Sequence, residues 1–225
     1  MTLNKATLSD QIYEILRADI LSRKIAPGAK LTLKNLKEQF EVSSTPIREA
    51  LTRLTDDGLV RYYSNIGVNV IELSREDLEE LYQFMGDLDR LAILYSAAHP
   101  DQEAICRELE EAVTYTSNLG SATDTPQCSD AKEANTQTWI YYSDRFHLIF
   151  YDYCGNSRLK SAAEKLRSQL TIFSTIYETE PEAQSHIAEQ HMQIFEAYRS
   201  GDFALAGERM KEHLNDSMRY AIAHT

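Results

Sequence analysis

The chain has 225 residues, of which 43% are hydrophobic, so it is long enough to form two domains with buried cores. It contains no apolar run of about 18 residues, no basic-then-apolar leader and no Cys-x-x-Cys pair, which predicts a cytoplasmic protein without a membrane span, a disulfide framework or a zinc knuckle. The formal net charge of -12 is unfavourable for contact with nucleic acid over the whole surface, so any such contact has to be local.

Two short helices separated by a tight turn are predicted before Gly58. The first carries an apolar stripe at i, i+3 and i+7, which consists of Leu33, Leu36 and Phe40. Ser43 or Ser44 can cap the second helix, and Pro46 falls in its first turn, where the missing N–H costs nothing. The buried face of the second helix is predicted to consist of Ile47, Ala50, Leu51 and Leu54. Gly58 is expected to end this helix.

Two strands joined by a turn are predicted after the second helix. The strands are Leu59–Tyr63 and Val68–Ile71, and the turn is Ser64-Asn65-Ile66-Gly67. A helix, a turn, a second helix and a strand-turn-strand follow the plan of a winged helix-turn-helix, which binds DNA.

The segment Val42–Leu54, with Asp57–Val60 behind it and Ile25–Leu31 ahead of it, closely resembles the GntR family of bacterial transcription regulators. The resemblance covers Ile12–Ile71. Any one of these pieces is compatible with an ordinary amphipathic helix or hairpin, but their order and spacing together favour the family.

This resemblance implies that the N-terminal part of the second helix enters the major groove of DNA. The residues expected to contact DNA are Lys34, Ser43, Ser44, Thr45, Arg48, Asn65 and Gly67. Arg48 is the strongest candidate, because a guanidinium can donate two hydrogen bonds to guanine. Ser44 stands where the family usually has arginine, so the operator is expected to differ from the usual one. Arg53 is compatible with either a surface charge or a DNA contact.

The charge is distributed unevenly between the two halves of the chain. Residues 1–73, which we call the head, contain ten Lys or Arg and nine Asp or Glu, and the remainder contains 13 and 26. A nearly neutral head can bind DNA through a few basic side chains, but each head binds weakly. We therefore expect a homodimer that places two heads on one operator.

The remainder of the chain, residues 74–225, is predicted to be an all-helical bundle. A long first helix follows the capping-box pattern Ser74–Asp77 and ends before Pro100. The other predicted helices are about Asp101–Asn118, Lys132–Cys154, Ser157–Glu178, Pro181–Ser200 and Asp202–His224, with a loop at Ser121–Asp130. The predicted fold is therefore mainly α, with a small β wing in the head.

The bundle resembles the FCD-type effector domain of the FadR-like (fatty-acid-regulator-like) branch of the same family. The matching segments include Asp144-Arg145-Phe146-His147, Glu189-Gln190-His191 and Met210-Lys211-Glu212-His213-Leu214. The resemblance covers Leu73 to about Tyr220 and depends on fewer fixed positions than in the head.

Three histidines on separate predicted helices, His147, His191 and His213, are candidate metal ligands. The resemblance implies that they line a cavity and hold a divalent metal. A buried neutral imidazole needs a partner, and one shared ion can satisfy three rings. Imidazole suits zinc or nickel better than magnesium or calcium. In the alternative reading, each is a core histidine hydrogen-bonded to a neighbour.

The chain departs from the family pattern around these histidines. The usual ligand aspartate, four residues before the first histidine, is replaced by Ser143, which makes Asp144 an uncertain fourth ligand. Met85 stands where the family commonly has an arginine, while Asp89 keeps an acidic residue one turn later. Met85, Asp89 and Ser143 are expected to line an effector pocket, and the loss of the arginine weakens the expectation of a carboxylate effector.

These features favour a DNA-binding transcription regulator, a repressor, that responds to a small organic acid. Two alternatives remain open at this point. One is a metal-dependent enzyme that uses the three histidines, although no nucleophile–base arrangement accompanies them. The other is a DNA-binding assembly protein without an effector.

Overall fold

The computed structural model describes residues 6–63, 67–120, 129–176 and 178–224. Within these residues the elements are α1 (Leu8–Leu21), β1 (Lys30–Leu31), α2 (Leu33–Phe40), α3 (Ser44–Asp56), β2 (Val60–Tyr63), β3 (Gly67–Val70), α4 (Arg75–Ser96), α5 (Gln102–Gly120), α6 (Ser129–Tyr153), α7 (Ser157–Ser174), α8 (Pro181–Arg199) and α9 (Phe203–Ala223). The predicted fold class, mainly α with a small β wing near the N-terminus, is confirmed.

The chain packs as two compact units. The first comprises the chain up to Ser74 together with Lys165–Thr175, and the second comprises Arg75–Glu164 and the chain from Ile176 onward. The helical pattern of α7 gives no sign that its second half belongs with the first unit.

Helix α1 begins with a capping box that the sequence analysis did not use. The Thr7 side chain accepts from the Asp10 N–H, and the Asp10 carboxylate accepts from the Thr7 N–H. Arg53 of α3 donates to Asp10 at 2.7 Å, and its guanidinium lies 3.8 Å from the centre of the Tyr13 ring. Arg53 is therefore held between α1 and α3, within the head.

The helix-turn-helix forms where the spacing predicts it. Helix α2 ends at Phe40, its C-cap Glu41 has a left-handed φ of 53°, and α3 starts after Ser43. Ser43 has the extended backbone of an N-cap, but its side chain makes no capping hydrogen bond. The four residues predicted to form the inner face of α3, Ile47, Ala50, Leu51 and Leu54, are all buried.

The wing is an antiparallel sheet with the strand order β1-β3-β2. In β2 and β3, Val60 pairs with Val70 and Tyr63 with Gly67. The two-residue strand β1 was not predicted, because it is too short to show an alternating pattern.

The bundle comprises α4, α5, α6, α8 and α9 together with the first half of α7. Helix α4 packs on α9 and α6, α5 packs on α6 and α8, and α8 packs on α9. Two boundaries differ from the prediction: α6 starts at Ser129, inside the expected loop, and α7 ends at Ser174 rather than near Glu178. Residues 121–128 of the expected loop lie outside the described residues. Among the described helices, none combines the length and apolar character that a membrane span needs.

Two glycines lie where α4 and α9 pack together. A Cβ added to Gly86 would lie 3.6 Å from the Cβ of Leu214, an ordinary contact. A Cβ added to Gly207 would lie 2.9 Å from Cγ of Arg90, which is too close without a shift of that side chain. Of these two positions, only that of Gly207 requires glycine, because Arg90 lies too close for a Cβ.

Candidate functional site

The residues expected to contact DNA are found on α2, at the start of α3 and at the start of β3. Lys34, Ser43, Thr45 and Arg48 are exposed, whereas Ser44 and Gly67 are half-buried. Asn65 lies outside the described residues. Since the inner face of α3 is buried, the exposed side that carries Arg48 is available to a groove.

The bundle brings three histidines together from three different helices. His147 lies on α6, His191 on α8 and His213 on α9, and they are 4%, 0% and 4% exposed. One candidate ligand atom from each ring lies within 4.8 Å of those of the other two. Nε2 of His191 lies 3.3 Å from Nε2 of His213. Residues far apart in sequence thus form one buried imidazole cluster, which we call the histidine cluster.

Asp89 of α4 binds the histidine cluster from one side. Its Oδ2 lies 2.7 Å from Nδ1 of His147, and its Oδ1 accepts a hydrogen bond of 2.5 Å from the Tyr151 hydroxyl. Asp89 is only 1% exposed, so these polar contacts compensate for the loss of hydration of its carboxylate. Tyr151, which the sequence predicts only as a packing or rim residue, lies one turn after His147 on α6, and this spacing places both side chains on one face of the helix.

Gln190 binds the histidine cluster from another side. Its Oε1 lies 2.8 Å from Nδ1 of His213, and its Nε2 donates to Oδ2 of Asp216 at 2.8 Å. Arg219 donates to the other oxygen of Asp216, also at 2.8 Å. Gln190 lies on a different helix from His213 and 23 positions away, so helical spacing does not predict their contact.

Aromatic packing fixes part of the cluster. The ring of Phe146 stacks on His191, with centroids 4.3 Å apart and planes at 20°. Phe146 is fully buried and also packs edge-on against Phe150. The apolar wall lowers the local polarity, which strengthens the hydrogen bonds at the cluster.

The other residues expected at the site have different surroundings. Ser143 and Met85 are buried, and Ser143 lies one turn before His147 on α6. Asp144 is half-buried and does not belong to the group of residues that could share an ion. Asp89, the other acidic candidate, contacts His147 of the cluster.

The outer face of α6 carries an ion-pair network that is separate from the cluster. Arg145 pairs with Glu108 and with Asp152, and Lys160 pairs with Asp152 at 2.7 Å. Burial acts to raise the pKa of Asp152, but the hydrogen bonds and charges of Lys160 and Arg145 outweigh it and lower that pKa. Arg145 and His147, which are two positions apart, therefore lie on different faces of α6.

The histidine cluster has the donor chemistry of a site for a transition metal. Nitrogens bound to one tetrahedral zinc lie roughly 3.4 Å apart, given Zn–N bonds of about 2.1 Å. The observed limit of 4.8 Å lies within reach of that value by small side-chain rotations. Three imidazoles fill three of the usual four positions and leave one open.

Two family models match this chain. Residues 8–70 match the model of bacterial regulatory proteins of the gntR family, and residues 80–216 match the model of the FCD domain. The two matched segments coincide with the winged helix-turn-helix and with most of the bundle.

Relatives and solved structures match the chain over most of its length. The HTH-type transcriptional regulator YdhC of Bacillus subtilis is 24% identical over 91% of this chain and 87% of its own length. The HTH-type transcriptional repressor RspR of Escherichia coli is 27% identical over 93% and 86%. A GntR transcriptional regulator from Rhodococcus has a TM-score of 0.73 at 19% identity, covering 96% of this chain and 98% of that one. McbR/YncC of E. coli has a TM-score of 0.70 at 22% identity, covering 97% of each chain.

Proposed function

Because the chain belongs to the GntR family of bacterial transcription regulators and carries an FCD domain, we propose that it is a repressor controlled by a small carboxylate effector and a divalent metal. The head binds operator DNA through α3, led by Arg48. The metal is zinc or nickel, held by His147, His191 and His213, and the effector binds beside it. Since its target is chromosomal DNA, its proposed site of action is the cytoplasm.

The observation that carries this proposal is the convergence of three buried imidazoles from three helices inside the FCD domain. Burying a polar ring costs free energy unless a partner replaces its hydration, and a shared ion provides one partner for all three. The named activity of the relative RspR, a transcriptional repressor, supports repression as the direction of control.

A bound metal would act as a Lewis acid and an anchor for an anionic group. The protein would contribute three imidazole nitrogens, and we propose that Met85 and Ser143, which are buried, line the pocket beside them. Met85 brings no positive charge to the pocket, so the ion would supply the charge that attracts the carboxylate. Asp144 would need to turn inward to become a fourth ligand.

We also propose that the regulator acts as a homodimer on a two-fold symmetric operator. The head has a net charge of only about +1, which gives weak non-specific attraction to DNA. Two linked heads gain affinity because the second binding event becomes intramolecular. Light scattering at micromolar concentration tests this directly, and a monomer that binds a single half-site tightly would contradict it.

The main experiment starts from DNA duplexes selected by the purified protein from a random library. Fluorescence anisotropy then measures affinity for the selected duplex with zinc, nickel, a panel of small carboxylic acids, and each metal with each acid. The variants are His191→Ala, at the buried cluster, and His224→Ala, at an exposed histidine near the end of α9.

We expect metal and one acid together to weaken binding of the unaltered protein. His191→Ala should keep DNA binding and lose the response, whereas His224→Ala should keep both. Failure to select any duplex would contradict the DNA-binding role. A selected duplex with no response to any metal or acid would leave the head function and refute the effector role.

A further inference from the structure

A chain of hydrogen bonds runs from the buried ring of His213 to the charged side chain of Asp216. Nδ1 of His213 meets Oε1 of Gln190, and Nε2 of Gln190 meets the Asp216 carboxylate. Arg219 donates to the other oxygen of that carboxylate. In the chain formed by His213, Gln190 and Asp216, the donor and acceptor of one hydrogen bond therefore determine the donor and acceptor of the next.

The direction of this chain is set by its charged end. An ionised carboxylate can only accept hydrogen bonds, so the NH₂ group of Gln190 must point toward Asp216. The oxygen of Gln190 then points toward His213, and an amide oxygen can only accept. Nδ1 of His213 must therefore carry a proton, and in the neutral ring Nε2 has the lone pair.

The same reasoning applies to His147. Its Nδ1 lies 2.7 Å from an oxygen of Asp89, which accepts on its other oxygen from the Tyr151 hydroxyl. Nδ1 of His147 is therefore the donor, and in the neutral ring its Nε2 has the lone pair. Carboxylate and carbonyl partners select the tautomer of ligand histidines in this way.

The third ring must then have the opposite tautomer. Nε2 of His191 lies 3.3 Å from Nε2 of His213, which is an acceptor. His191 is therefore the donor in this pair, and its proton is on Nε2. Of the three rings, His191 is the one whose proton on Nε2 must move or leave before that atom can bind an ion.

We propose that Gln190 and Asp216 are positioning residues that hold His213 as the Nδ1–H tautomer, so that its Nε2 lone pair faces the histidine cluster. Asp89 does the same for His147. The metal-free cluster has two rings preset as ligands and one, His191, bonded to a preset ring. The consequence for metal affinity rests on the proposed function, whereas the tautomer pattern does not.

The first test reads the tautomers in metal-free protein. Long-range ¹H–¹⁵N correlation spectra of histidine-labelled protein distinguish a protonated ring nitrogen from an unprotonated one. Single substitutions of the six histidines assign the signals. We expect Nδ1–H for His147 and His213 and Nε2–H for His191. A proton on Nε2 of His213 in the unaltered protein would overturn the proposal.

The second test changes the charged end of the chain. In Asp216→Asn the new amide can donate, so Gln190 is free to turn its NH₂ toward His213. We expect the proton of His213 to shift toward Nε2 and zinc affinity, measured by chelator competition, to fall roughly 10- to 100-fold. The double variant Gln190→Glu with Asp216→Asn should restore both, because the introduced carboxylate accepts from His213 and from the introduced amide.

The matched control is Arg219→Ala, which removes the donor to the other oxygen of Asp216 but leaves the contact of Asp216 with Gln190. It should leave tautomer and zinc affinity unchanged, and circular dichroism verifies that each variant is folded. If zinc binds the unaltered protein and Asp216→Asn alters neither readout, the inference fails while the proposed metal site stands. If no zinc binds but the tautomer pattern is as expected, the metal site fails and the positioning role stands.

Discussion

The head and the bundle keep their polar side chains in opposite surroundings. In the head, Lys34, Thr45 and Arg48 are exposed above an apolar core. In the bundle, the histidine cluster and Asp89 are part of the core itself. Exposed polar groups contribute little to folding, whereas a buried network is costly when one member is removed. Under the proposed function, substitutions at the DNA-contacting residues of the head would therefore cost little stability, whereas ligand binding in the bundle would be coupled to stability.

The largest expected effect is that of Asp89→Ala in the bundle. It leaves Nδ1 of His147 and the hydroxyl of Tyr151 without their buried acceptor, so the free energy of unfolding should fall by about 3 kcal/mol. Urea unfolding followed by circular dichroism measures it. Asp89→Asn, which keeps the shape and one acceptor, should lose less. A loss no greater than that of an exposed substitution would contradict the claim that this network is part of the core.

The matching test in the head is Arg48→Ala. Loss of a bidentate base contact should cost roughly 1–3 kcal/mol of operator affinity at each half-site, with no change in melting temperature. Arg53→Ala, on the same helix, should do the reverse, because Arg53 bonds Asp10 and covers Tyr13 inside the head. Anisotropy on intact and base-substituted operators, beside thermal melting, separates the two arginines. If Arg48→Ala and Arg53→Ala changed operator affinity and melting temperature equally, the assignment of Arg48 to DNA contact and of Arg53 to packing would be wrong.

A smaller effect on stability is expected at Tyr13 and Asp57, a partly buried polar pair in the head. The Tyr13 hydroxyl donates to Asp57, and burial and that carboxylate raise the pKa of Tyr13 from 10.0 to about 12. Tyr13→Phe should cost about 1 kcal/mol of unfolding free energy at neutral pH.

The sign of the pH dependence follows from the raised pKa. The folded state holds the Tyr13 proton more tightly than the unfolded chain, so the contribution is complete below pH 10 and is lost as the pH rises toward 12. Melting curves across this range should show a decline that is smaller in Tyr13→Phe, because Tyr142, Tyr153 and Tyr198 also have raised pKa values and contribute to the decline in both proteins. The same decline in both proteins would mean that another group causes it.

The smallest effect is a gain in stability at the α4–α9 contact. Gly86→Ala should add about 1 kcal/mol or less, because alanine favours the helix and its Cβ fits beside Leu214. Gly207→Ala should gain less or lose stability, since its Cβ would displace Arg90. Thermal melting of both variants checks the difference. An equal gain in melting temperature for Gly86→Ala and Gly207→Ala would show that the Arg90 side chain can move away at no cost in stability.

Local patterns in the sequence predicted most of the fold. The stripe of α3, with Ile47 and Leu51, is buried as its spacing requires, and Gly58 follows the end of that helix with a φ of 71°. These features depend on residues three or four positions apart, whose relation a helix fixes. The capping box of Thr7 and Asp10 is a local signal of the same kind, because its two residues lie three positions apart.

Which carboxylate meets the histidines was decided by tertiary structure. The sequence brought attention to His147, His191 and His213, and spacing along α6 made Asp144 a candidate partner. The structure instead brings Asp89 to His147 across 58 positions and Gln190 to His213 across 23. Periodicity fixes the face of a helix on which a residue lies, but the packing of α4, α6, α8 and α9 fixes what that face meets, because such contacts depend on how distant segments fill a common core.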